Sequence, residues 1–278
     1  VNAVSKKYGK YIDSYQIWNE ITSVGFYQGT PAQMAKMTKI AYKVIRKNDP
    51  SAKIISASVQ THDDRKYAYD NVALPYFANL QKMKWPITHV SGHLYPAAGQ
   101  GPDKRIKQIK MFKKAMKKYR LPKSKEIWDT ESNFDVGQPD APGAPDGRVT
   151  GKKAATYVAR NYLDTWRMGL TRSYWYAWTT DYNYFPGVHL FPGLASTDAY
   201  NTFARWVKGA KYQGCSTKGK RVICKFKKGK TFQIGFTTKG KSKYSYPGKK
   251  KVCPVYGSKC KTLKKAKKRA AQNKHAQA

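Results

Sequence analysis

The chain has 278 residues, 40% of them hydrophobic, and a net charge of +38 from 54 Lys+Arg against 16 Asp+Glu. That length accommodates one large domain and a small one, and no apolar run approaches the ~20 residues that a membrane-spanning helix needs. The charge is uneven: residues 211–278 hold 22 basic and no acidic residues, a polycation that draws polyanions of any kind but says nothing about fold.

Residues 11–19 (YIDSYQIWN) are β-branched and aromatic and predict a strand. Residues 31–47 follow a helical period, with Thr30 as N-cap and Pro31 at the first helical position. Residues 52–59 (AKIISASV) predict a buried strand, residues 67–84 a helix interrupted near Pro75, and residues 87–94 (ITHVSGHL) another strand. A lysine-rich amphipathic helix over 102–119 leads to a strand at 126–131 (EIWDTE) and a Pro/Gly/Asp loop at 135–149. A helix over 150–168 with Thr150 as N-cap, a strand at 172–179 and a helix over 197–207 complete the series.

Strands interleaved with helices imply βα units and a parallel sheet. The spacing fits a (β/α)8 TIM barrel; a doubly wound sheet has the same local signature, but no glycine-rich phosphate loop favours it. Residues 1–210 are therefore expected to form a barrel domain. Residues 211–262, with short β-rich runs and all four cysteines, predict a small antiparallel β domain, and residues 263–278 a basic tail, helical or disordered. Four cysteines allow three pairings. Cys215–Cys224 and Cys253–Cys260 are preferred, because CSTKGKRVIC reads as a hairpin closed across a Lys-Gly turn, and the spacing is too long for a zinc site. Disulfides place the chain in an oxidising, extracellular compartment.

Only three glutamates occur: Glu20, Glu126 and Glu131. Glycosidic cleavage needs two carboxyl groups flanking one bond, and a barrel presents its catalytic groups where strands meet the C-terminal face. Glu20 closes Ile17-Trp18-Asn19-Glu20, and Glu131 closes Ile127-Trp128-Asp129-Thr130-Glu131. Glu126 opens its strand at the opposite end and is expected to be solvated or lysine-paired. Asp129, two residues before Glu131, is expected to point the same way and to fill a layer. His62, beyond the 52–59 strand, is a weaker subsite candidate.

WNE at one strand end and WDTE-S three strands later resemble clan A of the glycoside hydrolases, the 4/7 superfamily. The resemblance spans about residues 10–210 and implies a retaining enzyme that cleaves O-glycosyl bonds of a β-linked polysaccharide or oligosaccharide. By position it makes Glu20 the general acid/base, Asn19 the partner of the sugar 2-hydroxyl with Trp18 beside it, and Glu131 the nucleophile. Ser91-Gly92-His93-Leu94-Tyr95 resembles the sixth strand end of that clan, with Tyr95 orienting the nucleophile and His93 contacting substrate. Tyr174-Trp175-Tyr176-Ala177-Trp178 resembles the eighth, with Trp178 as the floor of a sugar subsite. The mechanism implies a raised pKa for Glu20, a low one for Glu131, and no metal or organic cofactor. Numbered this way, the chain carries strands four to eight, and the first three are expected to be missing. The run from Tyr200 to Gly209 followed by a β domain is similar to secreted actinobacterial members related to the β-xylosidase and iduronidase family. Two other readings are a nucleic-acid-binding protein, for which no motif is present, and a non-catalytic binder of acidic cell-wall polymer on a truncated barrel.

Overall fold

A computed structural model describes residues 1–61, 65–135, 149–178, 187–238, 243–244, 250–257, 260–263 and 271–272. The predicted strands form, most of them shorter than their sequence patterns: β1 (Ser14–Gln16), β2 (Lys53–Ile55), β3 (His89–His93), β4 (Glu126–Ser132) and β5 (Arg172–Trp175). All neighbours pair in parallel, and the spatial order is the order of the chain. A doubly wound sheet reverses direction at a switch point; this one does not, which is the strand sequence of part of a (β/α) barrel.

The connecting helices are α1 (Asn2–Tyr8), α2 (Pro31–Asn48), α3 (Lys66–Ala68), α4 (Leu74–Lys82), α5 (Pro102–Lys118), α6 (Gly151–Arg167) and α7 (Ala195–Val207). Thr30 and Gln33 close a reciprocal capping box at the start of α2, satisfying two N–H groups that the helix cannot. A π-helical turn, Tyr69–Ala73, joins α3 to α4. It lies just before Pro75, whose ring has no N–H and crowds the carbonyl four residues earlier, so the widened turn absorbs the mismatch that the sequence pattern places there.

The chain falls into two compact units: residues 1–97, 104–132 and 168–176, and residues 98–103, 133–167 and 177–278. The first contains the parallel sheet. Its core is built on Tyr76, Phe77 and Leu80 of α4, Val90 of β3 and Phe112 of α5, all fully buried. Phe77 meets Phe112 edge-on with ring centroids 5.7 Å apart. The Tyr76 hydroxyl hydrogen-bonds Thr38 of α2 and accepts the N–H of Ala57 beyond β2, tying three elements together, and burial pushes its pKa up to about 12.

The second unit packs Leu163 of α6 and Phe203 of α7 with an antiparallel sheet of β6 (Lys211–Lys218), β7 (Arg221–Lys228) and β8 (Lys230–Thr237). Val222, Cys224 and Phe226 alternate on the packed face of β7. Cys215 and Cys224 sit opposite each other across β6 and β7 and are bonded, as are Cys253 and Cys260. Short strands follow: β9 (Lys243–Tyr244), β10 (Lys250–Val252), β11 (Lys261–Leu263) and β12 (Ala271–Gln272), pairing β10 with β11 and β9 with β12. In the basic tail, where helix or disorder is expected, Ala271–Gln272 is strand; the backbone of β9 satisfies its hydrogen bonds. Residues 264–270 and 273–278 lie outside the described residues. No helix among the described residues is long and apolar enough to cross a membrane.

Candidate active site

Glu20 stands four residues beyond β1, past the end expected for its strand. Its φ of +37° is left-handed, a conformation that costs a non-glycine residue on the order of 1–3 kcal/mol and must be held from outside. Ser58 holds it. The Ser58 hydroxyl accepts the Glu20 N–H at 2.8 Å and donates to Asn19 at 3.4 Å. The Ser58 backbone donates to Trp18 O at 3.1 Å and accepts from Ile21 N at 3.1 Å. One fully buried serine thus clamps the turn on both sides of the carboxylate.

Glu131 lies inside β4, one residue before its end. Between β3 and β4, Gly92 pairs with Asp129 but His93 pairs with Glu131, so one residue of β4 is extra. Strand side chains alternate between faces, and an inserted residue reverses the alternation. Asp129 consequently turns to Arg105 of α5, with Nη2 2.5 Å from its carboxylate, and accepts Leu94 N at 3.1 Å. Glu131 turns with His93 to the other side. The expectation that Asp129 and Glu131 point the same way is corrected by this bulge.

The two carboxylates meet over His93. Its Nδ1 is 2.8 Å from Glu20 Oε1 and 3.3 Å from Glu131 Oε2. The Tyr95 hydroxyl donates to the same Glu131 oxygen at 3.0 Å. One oxygen of each carboxylate and a ring nitrogen of His93 all lie within 4.8 Å of one another. The spacing is compatible with a metal ion, but ligating histidines as a rule donate their other ring N–H to an acceptor. His93 is completely buried and its Nε2 has no partner among the described residues. A proton there would be stranded, and the Nδ1 lone pair would face two carboxylates. The proton therefore belongs on Nδ1, shared between Glu20 and Glu131. The donor set fits a proton better than a cation.

Burial raises the pKa of Glu131 above the usual carboxylate range; His93 opposes this, the Glu20 charge reinforces it, and the Tyr95 hydrogen bond opposes it again. The low pKa expected for this residue is not found, because the loss of water outweighs the two donors. Burial first, then the Glu131 charge, pushes Tyr95 well above the ordinary phenol value, so it remains a donor.

Of the other predicted residues, Trp18 is exposed, its Nε1 donating to Phe26 O at 2.9 Å. Trp178 belongs to the second unit, where it is exposed and packs edge-on against Tyr200. His62 lies outside the described residues. Glu126 sits at the far end of β4, exposed to solvent as expected; it accepts Thr171 Oγ1 at 2.7 Å and faces His89 at 3.4 Å, and the Thr171 bond lowers its pKa. Two supporting residues escape the sequence reading. Ser58 gives no signal in the apolar run around it. Arg105 gives one: it is the sole arginine on the lysine-rich helix α5, and a planar guanidinium suits a buried carboxylate better than an ammonium does.

No family model and no curated protein matches the chain. Solved structures do. A family 39 glycoside hydrolase from Bacteroides cellulosilyticus WH2 superposes with a TM-score of 0.61 at 18% identity, covering 87% of this chain and 51% of that one. The fold is one that glycoside hydrolases use. A family 44 endoglucanase from Clostridium acetobutylium ATCC 824 gives 0.51 at 14% identity over 81% of this chain and 56% of that one. A glucosidase from Croceicoccus marinus gives 0.51 at 11% identity over 77% and 47%. The chain spans about half the length of these structures.

Proposed function

We propose that the chain carries the catalytic centre of a secreted retaining glycosidase acting on a β-linked polysaccharide or oligosaccharide. The observation that carries this reading is the convergence of the Glu20 and Glu131 carboxylates to within 4.8 Å around His93, close to the ~5–5.5 Å of retaining enzymes and short of the ~6.5–9.5 Å that an inverting enzyme needs for its water. Glu131, oriented by Tyr95, attacks the anomeric carbon and forms a glycosyl-enzyme. Glu20 protonates the departing oxygen, then takes a proton from the incoming water. Asn19, held through Ser58, meets the sugar 2-hydroxyl, and Trp18 supplies an apolar face for a sugar ring. The barrel part is assigned to residues 1–210. The two disulfides support an extracellular site of action.

The test is a leaving-group series. Aryl β-glycosides with good and poor leaving groups are offered to the wild type, Glu20→Ala and Glu131→Ala. Glu131→Ala abolishes turnover on all of them. Glu20→Ala retains the most activity on the best leaving groups, which need no acid. Equal losses for Glu20→Ala across the series refute the assignment.

A further inference from the structure

The antiparallel sheet of the second unit has one packed face and one open face. Tyr212, Phe226, Phe232 and Phe236, with Val222, Cys224 and Ile234, turn inward. Alternation then places Lys211 on β6 and Lys225 and Lys227 on β7 on the other face, all exposed, with Gln233 and Thr231 of β8 beside them. The register sets like charges opposite each other: Lys211 against Lys227, Lys218 against Arg221, and Lys228 against Lys230. Directly opposed like charges destabilise a sheet. Residues 211–278 contain no acid, and no ion pair reaches Lys211, Lys225 or Lys227 among the described residues.

Lysines on a sheet commonly blunt an exposed edge. Lys225 and Lys227 are on β7, the central strand, with β6 and β8 paired on its two sides, so edge protection does not account for them. Along a strand, alternate residues repeat every ~6.8 Å, and strands lie ~4.8 Å apart. The face is therefore a lattice of point charges that a linear polyanion can neutralise in several registers.

We infer that the open face of β6–β8 is a docking surface for an acidic polysaccharide. The aromatic side chains of these strands are all committed to the packed side, so the face lacks the stacking platforms that single-stranded nucleic-acid binders use. Lys211, Lys225 and Lys227 are hydrated point charges without the bidentate fork that reads base edges. What remains is recognition by charge density alone, which a flexible carboxylated or sulfated glycan satisfies. This surface shares no residue with the Glu20–Glu131 centre, and its test needs no turnover.

The full chain is titrated with polygalacturonate, heparin, duplex DNA and neutral dextran at several salt concentrations. Lys211→Gln/Lys225→Gln/Lys227→Gln is compared with Lys36→Gln/Lys39→Gln/Lys43→Gln, which removes the same charge from α2. The wild type binds both acidic glycans and not dextran, more tightly than DNA at equal salt. The sheet variant weakens glycan binding at least tenfold and flattens the log–log salt slope by about two, since each lost contact removes ~0.7–0.9; the α2 variant leaves both nearly unchanged. Melting in low salt checks the fold independently: the sheet variant melts no lower than the wild type, because it relieves the opposed pair. Equal weakening by the two variants, a sheet variant that melts lower, or tighter binding to DNA overturns the proposal.

Discussion

The raised pKa of Glu131 makes a prediction about stability as well as chemistry. Two carboxylates whose oxygens lie within 4.8 Å repel by about 3.5 kcal/mol at an effective dielectric constant of 20. The His93 proton shared between them offsets part of this, and Glu131→Gln gives up the charge-assisted portion of the Tyr95 bond while keeping its geometry. The net effect is that Glu131→Gln stabilises the fold by about 1–2 kcal/mol at pH 7, or roughly 2–6 °C in Tm for a chain of this size. The pH dependence fixes the cause. A carboxyl whose folded pKa lies above its unfolded value favours folding while protonated, and that advantage is lost as pH rises from the unfolded value of about 4.3 through the raised folded value. Glutamine does not titrate. The gap between variant and wild type should therefore be near zero below pH 4, open across that window, and stay constant above it. Calorimetric melts at half-unit pH intervals measure it. A variant that is less stable at pH 7, or a gap independent of pH, refutes the repulsion argument.

The same shift sets the acid limb of activity: the nucleophile must be ionised, so kcat/KM should fall with acid at a pH above the ordinary glutamate value, and a limb at or below 4.3 would contradict the burial of Glu131. Ser58→Ala strands the buried Glu20 N–H and should cost about 1–3 kcal/mol in urea melts; Ser58→Thr, which keeps the hydroxyl, should recover part of that loss, and no recovery would argue against the hydroxyl. Asp129→Asn leaves Arg105 charged and buried and should cost about 3–5 kcal/mol. Arg105→Met should cost less in acid than at neutral pH, because burial already raises the pKa of Asp129 and losing the opposing guanidinium raises it further; a pH-independent loss would argue against the pair. Cys215→Ser/Cys224→Ser opens a short loop and should lower stability by about 2.5–3 kcal/mol, read as a drop in the denaturation midpoint, with a further drop on reduction because Cys253–Cys260 is still intact in the variant.

Much of this arrangement is legible in the sequence because it rests on local rules. The capping box at Thr30, the interruption near Pro75 and the hairpin around Cys215 and Cys224 each depend on a few neighbouring residues whose chemistry permits one outcome. The alternation of helices with apolar strands gives the parallel sheet, although only the unbroken strand order separates a barrel from a doubly wound sheet. What escapes is what depends on partners distant in the chain. The bulge that turns Glu131 away from Asp129 arises from pairing with β3, 35 or more residues away, and strand alternation alone predicts the opposite. The left-handed turn at Glu20 is imposed by Ser58 across β2, and a glutamate gives no propensity for it. The placement of His93 between two carboxylates requires both strand ends at once. The raised pKa of Glu131 follows from how much water the fold removes, which no motif encodes.

The scarcity of glutamate has a spectroscopic consequence. The chain has three, two facing each other at His93 and the third, Glu126, at the remote end of β4 with Thr171. Labelling glutamate alone with carbon-13 at the side-chain carboxyl would give a spectrum of three resonances in a chain of 278 residues. The Glu126 resonance would titrate below the usual range and serve as an internal standard, and the Glu131 resonance would titrate above it. The molecule is in effect already simplified for watching its own proton move.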